Sequence, residues 1–455
     1  MTSPPDPTRR QFFRRFAGDV MTGAAQVVGA VGDLRDRSAA EAASLLGDNA
    51  VPARPSAEGS TADGAAFPTG FRTPFRFADD DTLLVVDQRR LPEILLEVPV
   101  RTAAEAAAAI RDMVVRGAPA IGQVAAIGLA LQARVNAVAR APIRRAILEG
   151  AANTLRSARP TAINLRWAVD RVMARHREFG PVSEDGPGLA AAMMDEALAI
   201  VAEATEDHGR MAEAGLALVP APEGRPVRIL THCNTGPLAC GQFGTALGII
   251  QAAHHADRPI HVWVDETRPY LQGARLTAWE LGQAGVPHTL VPDMAAGPLM
   301  ASGEVDLILV GADRIAANGD TANKLGTYTL AVLAERHGVP FVVVAPLSSV
   351  DLGAAAGSAI PIEERPAEEV TTLRGVRIAP PGTAVRNPAF DVTPAELIGA
   401  IVTEEGVLRP PYEPALAAAI ARRAARRAGS PALVPSNPAA GEPALAPAAP
   451  AGNPA

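Results

Sequence analysis

Cys233 stands in a polar turn, Thr231-His232-Cys233-Asn234-Thr235-Gly236. An apolar run, Val227 to Leu230, precedes it, and a small-residue segment from Ala239 to Ile250 follows. The run reads as a buried strand and the segment as a tightly packed helix. Open α/β sheets bind ligands where strands end. A helix start favours anions and lowers a thiol pKa. Cys233 is therefore the first candidate for chemistry. A second set of reactive types lies further on. Gly311-Ala312-Asp313-Arg314-Ile315 ends another apolar run, then comes a turn, Ala317-Asn318-Gly319-Asp320. Asn323-Lys324-Leu325-Gly326-Thr327 after it reads as a helix start. Between the two sets, Val264-Asp265-Glu266-Thr267-Arg268-Pro269 leads into Gln272-Gly273-Ala274-Arg275-Leu276-Thr277.

A repeating pattern must position these groups. Apolar runs at Val227–Leu230, Ile260–Val264, His288–Val291, Leu307–Val310 and Phe341–Ala345 alternate with helical segments. Short apolar runs separated in this way predict a parallel, doubly wound sheet. The carboxyl ends of its strands converge on one edge, so Cys233, Gln272, Asp313 and Lys324 are expected to share a cleft. Each has a plainer reading. Cys233 could be a small buried hydrophobe, Asp313 a helix cap or the partner of Arg314, Asp265 a structural cap, and Lys324 a solvated cation. Their joint placement at strand ends weighs against four coincidences.

The preceding region reads as mainly helical. Thr82 to Arg89 and Ile94 to Val98 suggest a small hairpin or sheet. Thr102 then caps a helix, with Glu105 at the capping-box position. That helix stops at Arg116-Gly117-Ala118-Pro119-Ala120-Ile121-Gly122, where Pro119 suits the first turn of the next one. An arginine beside such a helix start could cradle a phosphate, and a plain helix–helix turn is the simpler alternative. Arg159 precedes Pro160, which keeps it out of helical geometry and leaves it in a loop, free to point into a cleft, with a solvated surface arginine as the simpler alternative. His208 reads as surface or inter-helix packing.

The chain of 455 residues has room for two or three domains. Hydrophobic residues are 48%, charged residues 20% and aromatics 4%, so the core must be aliphatic. A net charge of −7 gives no basic field for nucleic acid. The two cysteines, Cys233 and Cys240, are poor disulfide partners across a turn and helix, which suits a reducing compartment. No apolar run looks long enough to span a membrane. No dinucleotide fingerprint or phosphate-loop lysine is present, which argues against NAD and against nucleotide hydrolysis, and there is no clear zinc spacing or serine nucleophile elbow.

Residues 1–75 form an arm and linker. Thr8-Arg9-Arg10-Gln11-Phe12-Phe13 resembles a twin-arginine export signal, but Asp19, Gln26 and Asp33 interrupt the stretch after it. Phe12, Phe16, Val20, Ala24, Val27 and Val31 predict an amphipathic helix that could dock on the body, a partner subunit or a membrane surface. From 411 to 455 a terminal helix and a Pro/Ala-rich, disordered tail are expected.

Taken in order, the Arg116–Gly122, Ser157–Ala162, Leu230–Gly236, Val264–Thr277 and Gly311–Thr327 motifs resemble the family of initiation factor 2B alpha, beta and delta subunits, in its S-methyl-5-thioribose-1-phosphate isomerase branch. The resemblance covers about 76–408. It implies a helical N-terminal domain, 76–220, followed by a Rossmann-like catalytic domain, 221–410, in a cytoplasmic homodimer. It also implies an aldose–ketose isomerisation in methionine salvage, without metal or nucleotide. Cys233 and Asp313 would be its catalytic pair. Arg116, Gly117, Ala118, Arg159, Gln272, Asn323 and Lys324 would bind the sugar phosphate. Two rivals stay open: an isomerase of another sugar 1-phosphate, such as ribose 1,5-bisphosphate or 5-deoxyribose 1-phosphate, and a non-catalytic regulatory subunit.

Overall fold

The computed structural model describes residues 73–429 apart from 160, 161, 181 and 182. The N-terminal arm and the C-terminal tail lie outside the described residues. The first layer is an antiparallel sheet of β1 (Phe75–Asp79), β2 (Thr82–Val86) and β3 (Glu97–Val100). β1 was not expected, and the second strand of the predicted hairpin begins later than Ile94. Five helices follow: α1 (Ala103–Arg111), α2 (Ala118–Val135), α3 (Ala141–Arg156), α4 (Ile163–Phe179) and α5 (Gly186–Leu216). Thr102 caps α1 by accepting from the Glu105 N–H at 3.2 Å. The Glu105 carboxylate reaches one residue beyond the usual capping box, to the Arg101 N–H at 2.6 Å.

α2 is the centre of this helical layer. Its length and hydropathy do meet the threshold for a membrane span, contrary to the reading of the sequence. It is instead a core helix, because α1, α4 and α5 pack around it and bury nearly every face. Its alanines and glycines let those neighbours approach closely. His208 on α5 is buried, not on the surface, and its Nδ1 lies 2.9 Å from the Gln242 carbonyl.

The second layer begins with β4 (Val227–Thr231), α6 (Pro237–Cys240), α7 (Ala246–His255) and β5 (Ile260–Asp265). A π-helical turn, Gly273–Thr277, then runs into α8 (Ala278–Gln283), followed by β6 (His288–Val291), α9 (Ala296–Ala301) and β7 (Leu307–Val310). β8 (Arg314–Ala316), β9 (Thr321–Lys324), α10 (Thr327–His337), β10 (Phe341–Val344) and β11 (Val350–Asp351) come next. The described chain closes with α11 (Glu368–Thr371), β12 (Thr372–Leu373), β13 (Val376–Arg377), β14 (Phe390–Thr393), β15 (Ala400–Thr403), β16 (Gly406–Leu408) and α12 (Tyr412–Gly429).

The main sheet has the order β16-β15-β10-β7-β4-β5-β6, parallel except for β16. Numbered by first appearance, β6 to β15 follow the doubly wound 3-2-1-4-5-6 order. The order reverses between β4 and β7, and there the sheet opens a crevice at its carboxyl edge. Side chains alternate across the sheet as the two-residue strand period demands. Ile229, Leu307, Leu309 and Val342 face one core, shared with Met211 and Leu216 of α5. Leu230, Ile308, Val310 and Val343 face the other, shared with α10 and α12.

Two elements differ from expectation. The segment from Ala239 to Ile250 is two helices, because Gly241 and Gly244 take left-handed φ of +89° and +73° between them. Asn323 and Lys324 lie on β9 and do not start a helix. β9 pairs with β14 through Asn323↔Asp391 and Lys324↔Phe390, and α10 begins only after Gly326.

Candidate active site

The Cys233 turn is built by its neighbours. Thr231 closes β4, and its hydroxyl donates to the Leu309 carbonyl of β7 at 2.8 Å. Cys233 itself takes φ of +63°, an uncommon conformation for a side-chain-bearing residue. Its N–H donates to Thr267 Oγ1 at 2.9 Å, and its carbonyl accepts from Thr277 Oγ1 at 2.6 Å. The segment after β5 therefore holds the thiol's backbone from both sides. The same segment carries Gln272, whose side-chain oxygen is buried without a hydrogen-bond partner.

Asp313 follows β7, next to β4 in the sheet, and its N–H donates to the Ala322 carbonyl of β9 at 3.0 Å. At the end of β9, Lys324 Nζ sits 4.9 Å from the centre of the Phe390 ring. Asn323 donates to Thr327 Oγ1 at 3.0 Å, which fixes its amide. Arg116 enters from the helical layer. Its Nε donates to Gln88 Oε1 at 3.2 Å, and its Nη2 donates to the Asn234 side-chain oxygen. Nη1 lies 4.0 Å from the Cys233 sulfur. Gly117 caps α2 with φ of +97°, and a Cβ there would fall 2.3 Å from the Ala239 carbonyl oxygen. No larger residue lets the two backbones meet in this way. Arg159 pairs with Glu363 at 3.2 Å and donates to Met113 Sδ at 2.8 Å.

These residues line one cleft. Arg116, Gly117, Ala118, Arg159, Cys233, Gln272, Asp313, Asn323 and Lys324 all face about 590 Å³ of space, the open mouth included. Met113, Pro119, Ala312, Pro346 and Phe390 give the wall an apolar part. All nine residues singled out from the sequence thus meet in one place.

The electrostatics separate the two reactive groups from ordinary ones. Burial raises the Asp313 carboxyl above its usual range, against the pull of Lys324, Arg159 and Arg116. Such an acid can hold a proton for delivery. Burial also raises the Cys233 thiol, while Arg116 and Lys324 draw it back only in part. The lowered thiol pKa expected from a helix start is therefore corrected. The helix behind the turn is the four-residue α6, too short to outweigh the loss of solvation. Burial lowers the Lys324 ammonium, with Cys233 and Asp313 acting in the other direction.

Three supporting side chains were not assigned roles from sequence. Gln88 carries Arg116 on one oxygen and donates to the Leu238 carbonyl at 2.7 Å. Asn234 carries Arg116 and in turn donates to Glu280. Glu280 is buried on α8, accepts the Leu238 N–H at 2.7 Å, and is pushed by burial to about 7. His232, Asp265 and Asp293 also gather within 4.8 Å. Both nitrogens of His232 and both oxygens of Asp293 are already hydrogen-bonded. Asp265 Oδ1 is left without a partner.

The chain matches the model of the initiation factor 2 subunit family over residues 114–410. It is similar to a methylthioribose-1-phosphate isomerase of Desulforudis audaxviator, with 53% identity over 341 residues, covering 75% of this chain and 96% of that one. Among solved structures it is similar to 5-methylthioribose 1-phosphate isomerase from Pyrococcus horikoshii OT3. That match has a TM-score of 0.70 and 42% identity, over 78% of this chain and 97% of that one. It is also similar to the delta subunit of translation initiation factor eIF-2B from A. fulgidus, with a TM-score of 0.66 and 38% identity, over 76% and 99% of the two chains.

Proposed function

The chain belongs to the initiation factor 2 subunit family, and from that premise we propose that it is an aldose–ketose isomerase. It converts S-methyl-5-thio-α-D-ribose 1-phosphate to S-methyl-5-thio-D-ribulose 1-phosphate, a step of methionine salvage. The observation that carries the reading is the meeting of Cys233, Asp313, the cations Arg116, Arg159 and Lys324, and the amides Gln272 and Asn323 in one cleft at the sheet's switch point.

In the reaction as we read it, the phosphate ester on C1 prevents spontaneous ring opening. Asp313 gives its proton to the ring oxygen, the C1–O bond breaks, and the exocyclic oxygen shares the positive charge left on C1. The hydrogen on C2 then passes to C1 and the 2-hydroxyl becomes a carbonyl. If that hydrogen moves as a hydride, the hydroxyl proton returns to Asp313. If it moves as a proton through an enol phosphate, one group takes it from C2 and delivers it to C1, and the 2-hydroxyl gives its proton to Asp313 as the carbonyl forms. Both routes leave Asp313 protonated at the end and need no outside oxidant. Cys233, a neutral thiol beside Asp313, serves as the proton-transfer partner or stabilises the developing charge. Arg116, Arg159 and Lys324 hold the phosphate, the guanidinium groups as planar forks. The unpartnered oxygen of Gln272 accepts from a sugar hydroxyl.

A regulatory role is the second reading, favoured by the eIF-2B delta-subunit likeness. The higher identity to isomerases and the filled set of reactive residues support catalysis instead. Turnover by purified protein, with Cys233→Ser and Asp313→Asn as controls, tests this. We further infer a cytoplasmic homodimer. Leu290 on the edge strand β6 and Met294 beyond it are exposed apolar groups suited to such a contact. Light scattering on the purified chain tests the dimer.

A further inference from the structure

His232 lines no part of the cleft, yet its imidazole is held at both ends. The ring is buried, 1% exposed. Nε2 lies 2.9 Å from the Leu325 carbonyl oxygen and Nδ1 lies 3.1 Å from Asp265 Oδ2. A carbonyl oxygen only accepts, so Nε2 must carry a hydrogen. The link between Nδ1 and the carboxyl oxygen also needs a proton to be a hydrogen bond. That proton makes the pair either imidazolium and carboxylate or neutral imidazole and carboxylic acid. In both forms the ring is bonded on both sides.

The two anchors belong to different elements. Asp265 ends β5, and Leu325 follows Lys324 at the end of β9. His232 itself precedes Cys233. The imidazole thus joins the thiol's turn to the lysine's turn through one rigid ring. Gly326 lies so close above it that a Cβ there would come within 2.8 Å of Cε1. On the far side, Asp391 holds the lysine turn by accepting from the Gly326 N–H at 2.7 Å and the Tyr328 N–H at 3.1 Å.

We propose that His232 is a positioning residue of this site, a two-ended clamp that sets Cys233 against Lys324. The proposal rests on the isomerase reading above. Burial opposes a charged ring, but Asp265 and then Asp293 outweigh it and raise the imidazole's proton affinity. Asp391 faces the ring from β14. The acids that face the clamp are Asp265, Asp293 and Asp391.

The test compares His232→Phe, His232→Gln and His232→Asn in the full-length chain. Two quantities are read: kcat and KM on methylthioribose 1-phosphate, and the pH profile of Cys233 alkylation by iodoacetamide, with Cys240 resolved by peptide mass. Phenylalanine cuts both anchors. We expect kcat to fall about 10²-fold, as misplacement of a catalytic set costs, and KM to rise as well, because Lys324 helps hold the phosphate. The alkylation profile should move to higher pH, because Lys324 no longer draws the thiol pKa down. Glutamine places an N–H near the site of Nε2 and keeps the Leu325 bond, so it should exceed asparagine in kcat by about tenfold. A folded phenylalanine variant with wild-type kcat and alkylation profile would overturn the clamp. If phenylalanine prevents folding, equal rates in the glutamine and asparagine variants overturn it. If the wild-type protein does not turn the sugar over, the isomerase reading fails. The alkylation profiles then decide the clamp alone, and profiles unchanged in all variants overturn it.

Discussion

Cys233 and Asp313 stand at the ends of neighbouring parallel strands, β4 and β7, whose register pairs Thr231 with Leu309. The thiol and the carboxyl therefore open onto the same crevice although they lie far apart in sequence. The crevice is where the strand order of the sheet reverses, the ordinary ligand position in this architecture. The site's chemistry thus follows from topology first and from side-chain detail second.

Asp313→Asn should lose turnover by about 10²- to 10⁴-fold, the usual worth of a positioned proton donor. KM should change little, because the arginines and Lys324 remain. Steady-state kinetics on the purified variant check this, and near-wild-type kcat would remove Asp313 from the proton path.

Cys233 should react slowly with iodoacetamide at pH 7. Burial raises its pKa, so the thiolate becomes available only at alkaline pH. Its alkylation rate should rise with pH beyond the range of an exposed thiol. Fast alkylation at neutral pH would show an activated thiolate and a nucleophilic role.

Arg116→Lys should lower kcat/KM by about 10- to 100-fold. Lysine keeps the charge but cannot bond Gln88 and Asn234 together as the guanidinium does. Gly117→Ala should destabilise the protein by about 1–3 kcal/mol, because its Cβ meets the Ala239 backbone and its φ is left-handed. Denaturant titration reads the second effect.

Glu280 links stability to pH. Its carboxyl keeps a proton to about pH 7 when folded but releases it near 4.5 when unfolded. Over that window the folded protein binds more protons, so its stability falls as pH rises. The contribution is complete below about 4.5 and lost above about 7. Glu280→Gln should flatten the Tm profile across this window. The glutamine amide also faces the Asn234 amide donor, so Arg116 loosens and KM should rise.

The five parallel strands β4, β5, β6, β7 and β10 were legible because a doubly covered sheet leaves continuous apolar runs in sequence. The nine cleft residues were legible through ordered motifs as well as strand ends. β9 was not, since Thr-Ala-Asn-Lys has no apolar run and owes its strand form to pairing with β14. The break between α6 and α7 was masked by small residues whose composition suits a helix. The thiol's raised pKa could not be read either, because it depends on how deeply the turn is buried. Nor could the Gln88 and Glu280 supports, which reach the site from elements distant in sequence.

The most direct test is turnover of S-methyl-5-thioribose 1-phosphate by the purified chain, with ribose 1,5-bisphosphate assayed beside it. The account predicts formation of the methylthioribulose phosphate, a clear preference over the bisphosphate, and loss of activity in Cys233→Ser and Asp313→Asn. Turnover of neither sugar by folded wild-type protein would contradict it.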